Sequence, residues 1–202
     1  MKIINLGILA HVDAAGRMAC DVWEDELSGA SMELNRFIHA YLVRYYDVNR
    51  RFSFSATGNR LDAFLLAGFK RDGNNSDEWF EHGLSAFSAP EKKVALEYRH
   101  YLVRNGETVQ QFMGESDVQM GLFISRANGK GRLLLDTLEK HCRKNGVENL
   151  FLWADATCNV SYYEKNGFES VACFESTAPI DNGRLETTVF RKRLDKRKQS
   201  VR

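Results

Sequence analysis

The chain has 202 residues, of which 44% are hydrophobic and 27% charged, and its formal net charge is +1. This balance is typical of one globular domain, and the near-neutral charge excludes a general attraction to nucleic acid or to an anionic membrane. The four cysteines form no C-x-x-C pair, no apolar run is long enough to span a membrane, and no signal-peptide cleavage pattern is present. We therefore predict a soluble, cytoplasmic protein without disulfides or a metal site.

Residues 1–14 (MKIINLGILAHVDA) resemble the opening of the GTPases that protect ribosomes from tetracycline. In that family the run continues into the Gly-Lys-Thr that completes the phosphate-binding loop, whereas this chain continues with Ala15, Gly16 and Arg17. Without the lysine and the hydroxyl residue, nothing holds the terminal phosphates or the magnesium ion. We predict that residues 1–20 are a leader or fusion remnant that contributes nothing to the fold or activity.

The pattern then predicts a domain over residues 21–195 and a charged tail over residues 196–202. Apolar residues at helical spacing predict a helix over 31–46 with one face in a core. Alternating residues 51–57 predict a half-buried strand, joined by a Gly-Asn turn to a second strand.

The second strand of this hairpin is predicted over residues 61–70. Residues 76–112 predict one or two helices, with Pro90 as a break or a first helical turn. The rest of the chain predicts a strand over 117–125, a helix over 131–145 and a buried strand over 150–154. A short helix over 159–165 and a final antiparallel hairpin of residues 168–175 and 185–194 follow.

A glycine loop, Arg126-Ala127-Asn128-Gly129-Lys130-Gly131, joins the predicted strand 117–125 to the next helix. Glycines let consecutive backbone N–H groups approach phosphate oxygens, and the positive end of the helix adds a favourable field. The dinucleotide fingerprint and the nucleotide P-loop are both absent. The loop alone fits either a pyrophosphate cradle or an ordinary surface turn.

This loop and the later run Asn159–Phe168 (NVSYYEKNGF), in this order, resemble two motifs of the GCN5-related N-acetyltransferase (GNAT) superfamily. The resemblance is most specific over residues 117–175 and extends over 31–194 through the upstream helix and hairpin. It implies an α/β (α+β) fold with a mixed central sheet of about six to seven strands, flanked by helices and splayed between the fourth and fifth strands. It also implies acetyl-CoA as the cosubstrate and direct acetyl transfer to an amine.

The chain departs from the family pattern between the third and fourth strands, where most members have a short turn. Here residues 71–116 form a helical insert, which we predict covers the acceptor site. The suitable wall residues of this insert are Trp79, Phe80, His82, Phe87, Tyr98 and Tyr101.

The resemblance also assigns site residues. Tyr163 is the predicted catalytic residue, because its phenol would lie near the coenzyme's sulfur and donate to the departing thiolate; the alternative is an aromatic that packs under the pantetheine arm. Asn159 would bind the coenzyme, serve as an ordinary helix N-cap, or do both. The predicted coenzyme-binding residues are Phe123, Ile124, Arg126, Gly129, Lys130, Gly131, Arg132, Leu133 and Asn159.

The sequence leaves the general base undecided among Asp117, Asp155, Glu78, Glu81, His82, Glu97 and His100. The leading functional hypothesis is an acetyl-CoA-dependent N-acetyltransferase for a small-molecule amine, compatible with a homodimer and without a nucleic-acid or membrane partner. One alternative is a protein or peptide N-acetyltransferase, which needs an open groove rather than a covered pocket. Another is a non-catalytic acyl-CoA-binding module, favoured if Tyr163 lies far from the thiol.

Overall fold

The computed structural model describes residues 2–5, 12–23, 27, 30–58, 60–177 and 183–194, with the backbone alone at residues 2–5. The predicted tail at 196–202 lies outside these ranges. Within them, the chain forms these strands and helices in order: β1 Lys2–Asn5, α1 Val12–Val22, α2 Met32–Tyr46, β2 Phe54–Thr57, β3 Leu61–Phe69, α3 Ser76–Leu84, α4 Ala89–Gln110, β4 Val118–Ser125, α5 Lys130–Lys144, β5 Asn149–Asp155, α6 Val160–Lys165, β6 Glu169–Thr177 and β7 Arg184–Arg193.

The strands form one mixed sheet in the order β1-β2-β3-β4-β5-β7-β6. Every neighbouring pair is antiparallel except β4 and β5, which are parallel and are joined through α5. A parallel pair needs such a crossover, whereas antiparallel strands can be joined by a tight turn. The predicted α/β fold and its strand count are confirmed.

Local signals in the sequence set the helix ends. Ser31 caps α2, because its side chain accepts a hydrogen bond of 3.2 Å from the amide of Leu34. Ser88 and Glu91 form a capping box at the start of α4, and Pro90 lies in its first turn. The helical insert is therefore two helices, α3 and α4.

Helices cover both faces of the sheet. The central strand β3 shows the division: its Phe64 and Leu66 belong to the core shared with α1 to α4, whereas Ala63 and Leu65 belong to the core shared with α5. The predicted apolar face of α5 is confirmed, and its buried residues include Leu134, Leu135, Leu138 and Cys142.

The insert is part of the hydrophobic core. Near the carboxyl end of α4, Val109 and the following Met113 pack against Phe151 of β5 and Val189 of β7. Val109 and Val189 are fully buried. Whether the insert also covers an acceptor stays a prediction.

β4 and β5 part soon after they meet. They pair only at Val118↔Leu150 and Gln119↔Phe151, although both strands continue beyond this point. The register between β3 and β4 shifts by one residue at Gly121, which marks a β-bulge, and a bulge bends its strand. The predicted splay between the fourth and fifth strands is confirmed.

The prediction that residues 1–20 lie outside the fold is wrong for the part that the structure describes. The backbone of Lys2–Asn5 pairs with β2, and α1 packs against α2 through its buried Val12, Ala15, Met18 and Ala19. This spacing forms one helix face, a signal that the resemblance to a GTPase opening obscured. Residues 1 and 6–11 lie outside the described ranges.

Truncation of a core methionine in α1 should destabilise the protein. Met18 is 3% exposed and Met32, at the start of α2, is 61% exposed, so they form a matched pair. We expect Met18→Ala to lower the free energy of unfolding by about 2–4 kcal/mol, because it leaves a cavity between α1 and α2. Met32→Ala should change it by less than about 0.5 kcal/mol. Urea denaturation measures both, and equal midpoints would restore the interpretation of residues 1–20 as a leader.

Acid should destabilise the α1–α4 layer through His39. This ring is fully buried on α2, its Nδ1 lies 2.9 Å from the carbonyl oxygen of Asn35, and burial lowers its pKa. A histidine whose pKa is lower in the folded than in the unfolded protein binds more protons when unfolded. Its contribution to the free energy of unfolding is therefore complete above the unfolded pKa of about 6.5 and is lost as the pH falls below that value.

We expect His39→Leu to flatten the slope of unfolding free energy against pH between pH 7.5 and pH 5.5, by up to about 1.4 kcal/mol per pH unit. Some slope should remain, because burial also lowers the pKa of His141. Urea titrations at a series of pH values provide the measurement, and an unchanged slope in His39→Leu would contradict this assignment.

Candidate active site

A cavity of about 70 Å³ opens where β4 and β5 part. It is bounded by helices on one side and by the two diverging strands on the other. Its lining residues are Trp23, Leu42, Tyr46, Tyr98, Tyr101, Leu102, Gly121, Leu122, Phe123, Trp153, Asp155, Cys158 and Tyr163. The cavity therefore brings together the splayed strands, the insert helix α4 and the predicted catalytic tyrosine.

Tyr46 closes one end of this cavity. A Cβ atom at Gly121 would overlap the Tyr46 ring, so glycine at the bulge leaves the space that this ring fills. The Tyr46 hydroxyl accepts a hydrogen bond of 3.0 Å from the indole of Trp153. A larger cavity of about 210 Å³ lies on the other side of Tyr46 and Gly121 and contains none of the predicted site residues.

Tyr163 lies on α6 with its ring against Phe168 and Phe190, at centroid distances of 5.8 and 5.9 Å. Burial raises the pKa of its phenol, and the neighbouring Cys158 and Tyr162 raise it further. The phenol is therefore protonated at neutral pH and can act as a hydrogen-bond donor inside the cavity.

Two glycines of the loop occupy positions that disfavour a side chain. Gly129 has φ of 75° and precedes α5 with open space where a side chain would lie. A Cβ atom at Gly131 would lie 3.2 Å from both Phe123 and Ser125, so glycine lets the first turn of α5 approach β4 closely. Within the described ranges, the amides of Gly131 and Arg132 have no hydrogen-bond acceptor, as expected for a first helical turn.

Three other predicted loop residues differ from expectation. The amide of Arg126 donates to the carbonyl of Asp62, and those of Lys130 and Leu133 donate to carbonyls within the loop, at 3.0–3.1 Å. Because each amide has a single hydrogen, these amides shape the loop and do not point at a ligand.

The two arginine side chains are also engaged. Arg126 donates to Asp21 at 2.5 Å and to a carbonyl of α1, so its guanidinium faces α1. Arg132 donates to Asp136 at 2.9 Å and to Asn166 at 2.7 Å on an exposed surface. Of these two arginines, only Arg132 has its side chain on the side of α5 where the Gly131 and Arg132 amides could hold a phosphate.

The remaining predicted coenzyme residues lie at the same edge. Phe123 and Ile124 pair with β3, while the β5 side of this half of β4 has no strand partner in the described part of the chain. Asn159 is the N-cap of α6 and accepts from the amide of Tyr162 at 3.3 Å. Phe123 packs on the Tyr162 ring at a centroid distance of 5.8 Å.

Asp155 is the one candidate base that lines the cavity. It is 5% exposed at the end of β5, where Tyr101 donates to Oδ2 and Thr157 donates to Oδ1 from its hydroxyl at 2.6 Å and its amide at 2.9 Å. Asp117 instead anchors the start of β4 to Asn149. The other candidates lie on α3 and α4 away from the cavity: Glu78, Glu81, His82, Glu97 and His100.

The structure divides the predicted insert residues into two groups. Tyr98 and Tyr101 line the cavity. Trp79, Phe80 and Phe87 instead surround Phe37 at centroid distances of 5.1, 5.3 and 5.0 Å, and His82 is exposed.

Two aromatic wall residues at helix ends, Trp23 and Tyr46, were not among the predicted site residues. Trp23 follows α1, just beyond the predicted leader 1–20, and Tyr46 is the last residue of α2. Their only sequence signal is an aromatic at a helix end, which is too common to select a site.

The described ranges contain neither a metal-binding cluster nor a membrane-spanning helix. No group of three or more His, Cys, Asp or Glu side chains is arranged to hold a metal ion. None of the described helices is both long and apolar enough to cross a membrane.

Comparison with known proteins gives structural relatives only. No protein-family sequence model and no curated protein sequence matches the chain. Among solved structures, the ribosomal-protein-alanine N-acetyltransferase from Brucella melitensis has a TM-score of 0.55 at 17% identity, covering 96% of this chain and 100% of that one. Agmatine N-acetyltransferase has a TM-score of 0.53 at 12% identity, covering 96% of this chain and 99% of that one.

A third structure, an acetyltransferase of the GNAT family from Desulfovibrio desulfuricans, has a TM-score of 0.52 at 11% identity, covering 96% of this chain and 98% of that one. At these identities the likeness concerns the backbone fold. The chain therefore has the fold of the GCN5-related N-acetyltransferases.

Proposed function

We propose that this protein is an acetyl-CoA-dependent N-acetyltransferase that transfers an acetyl group directly to the amine of a small molecule. The observation that carries the proposal is the position of Tyr163, which lines the cavity at the β4–β5 gap. The half of β4 that borders this gap leads into the glycine loop before α5. A thioester in the gap and a pyrophosphate at the loop would thus share one edge of the sheet.

The loop residues fit a pyrophosphate through their backbone. The amides of Gly131 and Arg132 lie at the positive end of α5, and Gly129 leaves the approach open. Backbone groups of Phe123 and Ile124 alternate between the β3 and β5 sides of the strand, so one of the two residues would present its N–H and C=O to the amides of the pantetheine arm. Asn159 would add a contact while it also caps α6.

The transfer requires two proton losses from the acceptor. An ammonium first loses one proton; its nitrogen then forms a bond to the thioester carbonyl carbon, and the carbon–sulfur bond breaks. The second nitrogen proton leaves as the amide forms. One of the two protons ends on the coenzyme's sulfur and the other in solvent, so atoms and charge balance.

The raised pKa of Tyr163 determines its part in this reaction. The pKa of a coenzyme thiol, about 8.5, lies below the raised pKa of the Tyr163 phenol. The departing thiolate is therefore too weak a base to remove the proton of this phenol. We infer that Tyr163 donates a hydrogen bond that stabilises the departing thiolate, and the sulfur is protonated afterwards.

The shape of the site favours a small acceptor over a protein chain. Tyr98 and Tyr101 narrow the cavity, and α4 also packs over β5 and β7. A peptide acceptor would need an open groove along the strands that α4 covers. The solved relatives include enzymes named for a ribosomal protein and for agmatine, so the fold itself does not separate the two classes.

Replacement of Gly131 by valine should prevent coenzyme binding. A Cβ atom there already presses on Phe123 and Ser125, so the larger side chain should displace the first turn of α5 with its two available amides. We expect calorimetry to show coenzyme A binding at least about 30-fold weaker, equivalent to losing one or two hydrogen bonds to a charged group. Gly73→Val, at an exposed site with open space, should bind normally.

Circular dichroism of both glycine variants checks that the fold is retained. Normal coenzyme A affinity in a folded Gly131→Val protein would remove the loop from the binding site.

Replacement of Tyr163 by phenylalanine should lower turnover while acetyl-CoA affinity holds. The ring and its packing stay, and only the donor to the thiolate is lost, so kcat should fall about 10–100-fold. The assay is thiol release with the best acceptor from a panel of polyamines, aminoglycosides, amino acids and peptides. Tyr45→Phe, whose ring lines the larger cavity, serves as the control and should keep the parental rate.

A Tyr163→Phe enzyme with the parental kcat would exclude this residue from the mechanism. A wild-type protein that binds acetyl-CoA but releases no thiol with any class of acceptor would favour the acyl-CoA-binding module instead.

A further inference from the structure

Three carboxylates are buried in the described part of the chain, and they differ in what surrounds them: Asp117, Glu139 and Asp155. Asp117 accepts three amide hydrogen bonds at 2.8–3.0 Å. Glu139 is paired with Arg143 at 2.8 Å and with Lys192 at 2.5 Å. Both are satisfied by structural partners, and neither lines the cavity.

Asp155 resembles Asp117 in having hydrogen-bond partners and no ion pair, but unlike Asp117 and Glu139 it lines the cavity. Its partners are two hydroxyls and one amide, from Tyr101 and Thr157. Across the described ranges no lysine or arginine forms an ion pair with it. A buried carboxylate without a cation is costly, so this position favours a positively charged ligand.

Aromatic rings surround the same space. Tyr101 meets Trp153 edge to face at 5.4 Å, and Trp23 and Tyr98 complete this side of the cavity. Aromatic faces attract ammonium groups, the more so where water is excluded. The volume of about 70 Å³ suits the slender end of an aliphatic chain better than a ring system.

We propose that Asp155 binds the ammonium group of the acceptor, with the aromatic walls around its alkyl chain, and that the acceptors are aliphatic primary amines. This inference rests on the proposed function for the chemical steps after binding, since Tyr163 lines the same cavity. Tyr101 is a positioning residue, because it holds one oxygen of Asp155 from the insert helix α4. The insert thus sets the specificity of the site.

The three tryptophans provide the measurement. Trp23 and Trp153 line the cavity, whereas Trp79 stacks on Phe37 outside it. The full-length protein, labelled with ¹⁵N-tryptophan, is titrated with n-butylammonium chloride and with n-butanol, its neutral isostere. Sodium chloride holds the ionic strength constant, and single Trp→Phe variants assign the three indole signals.

We expect n-butylammonium to shift the indole signals of Trp23 and Trp153 and to leave Trp79 unchanged. Butanol should bind at least about tenfold more weakly, because it lacks the charge that Asp155 receives. Equal responses to the two probes, a shift confined to Trp79, or no shift at all would overturn the proposal. This comparison uses the wild-type protein and needs no variant to fold.

Asp155→Asn keeps the size of the side chain and removes its charge, so n-butylammonium affinity should fall about 10–100-fold. Asp77→Asn is the matched control, because Asp77 also accepts from a tyrosine, Tyr41 at 3.2 Å, but lies outside this cavity. Unchanged affinity in a folded Asp155→Asn protein would contradict the assignment.

Coenzyme A calorimetry on the same samples separates this inference from the proposed function. Loss of ammonium binding with coenzyme binding intact, in Asp155→Asn, supports the inference. A wild-type protein that binds coenzyme A but shows no preference for the ammonium refutes the inference alone. A wild-type protein that binds n-butylammonium but not coenzyme A refutes the proposed function alone.

Discussion

The separation of β4 from β5 is the constraint on which the rest of the site depends. Two parallel strands that stayed paired would leave no space between them, and their backbone groups would satisfy one another. Here pairing stops after Gln119↔Phe151, and the bulge at Gly121 bends β4 away. Tyr46 fills the apex of the gap and is held there by Trp153. The opened strands give a cavity with polar backbone at its edge, a suitable place for an extended thioester arm.

The order of helices and strands was predictable because their signals are local. The Ser31 cap, the Ser88–Glu91 capping box with Pro90, and the apolar face of α5 each lie within one or two turns of sequence. The glycine loop was predictable for the same reason, since a positive φ at Gly129 is a property of a single residue. The resemblance added the splay, which no local pattern could show.

What the sequence did not reveal depends on contacts between distant segments. Asp155 was one of seven equivalent candidates until the fold brought Tyr101 to it from an insert more than fifty positions away. Trp23 reaches the same cavity from the end of α1, although no motif marks that residue. The available amides of the loop also depend on tertiary structure, because the amide of Arg126 donates to Asp62 of β3 and only the first turn of α5 remains open.

Tyr163 and Asp155, which both line the cavity, suit the leaving group and the acceptor of one acetyl transfer. Burial keeps Tyr163 protonated, so it can donate to negative charge that develops on sulfur. Asp155 accepts hydrogen bonds from the hydroxyls of Tyr101 and Thr157, and neither partner carries a positive charge. A cationic nitrogen would therefore lie near Asp155 and an anionic sulfur near Tyr163, on either side of the carbonyl that is transferred. Both demands are met in one narrow space because α4, in the insert between β3 and β4, contributes Tyr98 and Tyr101 to the cavity where β4 and β5 part.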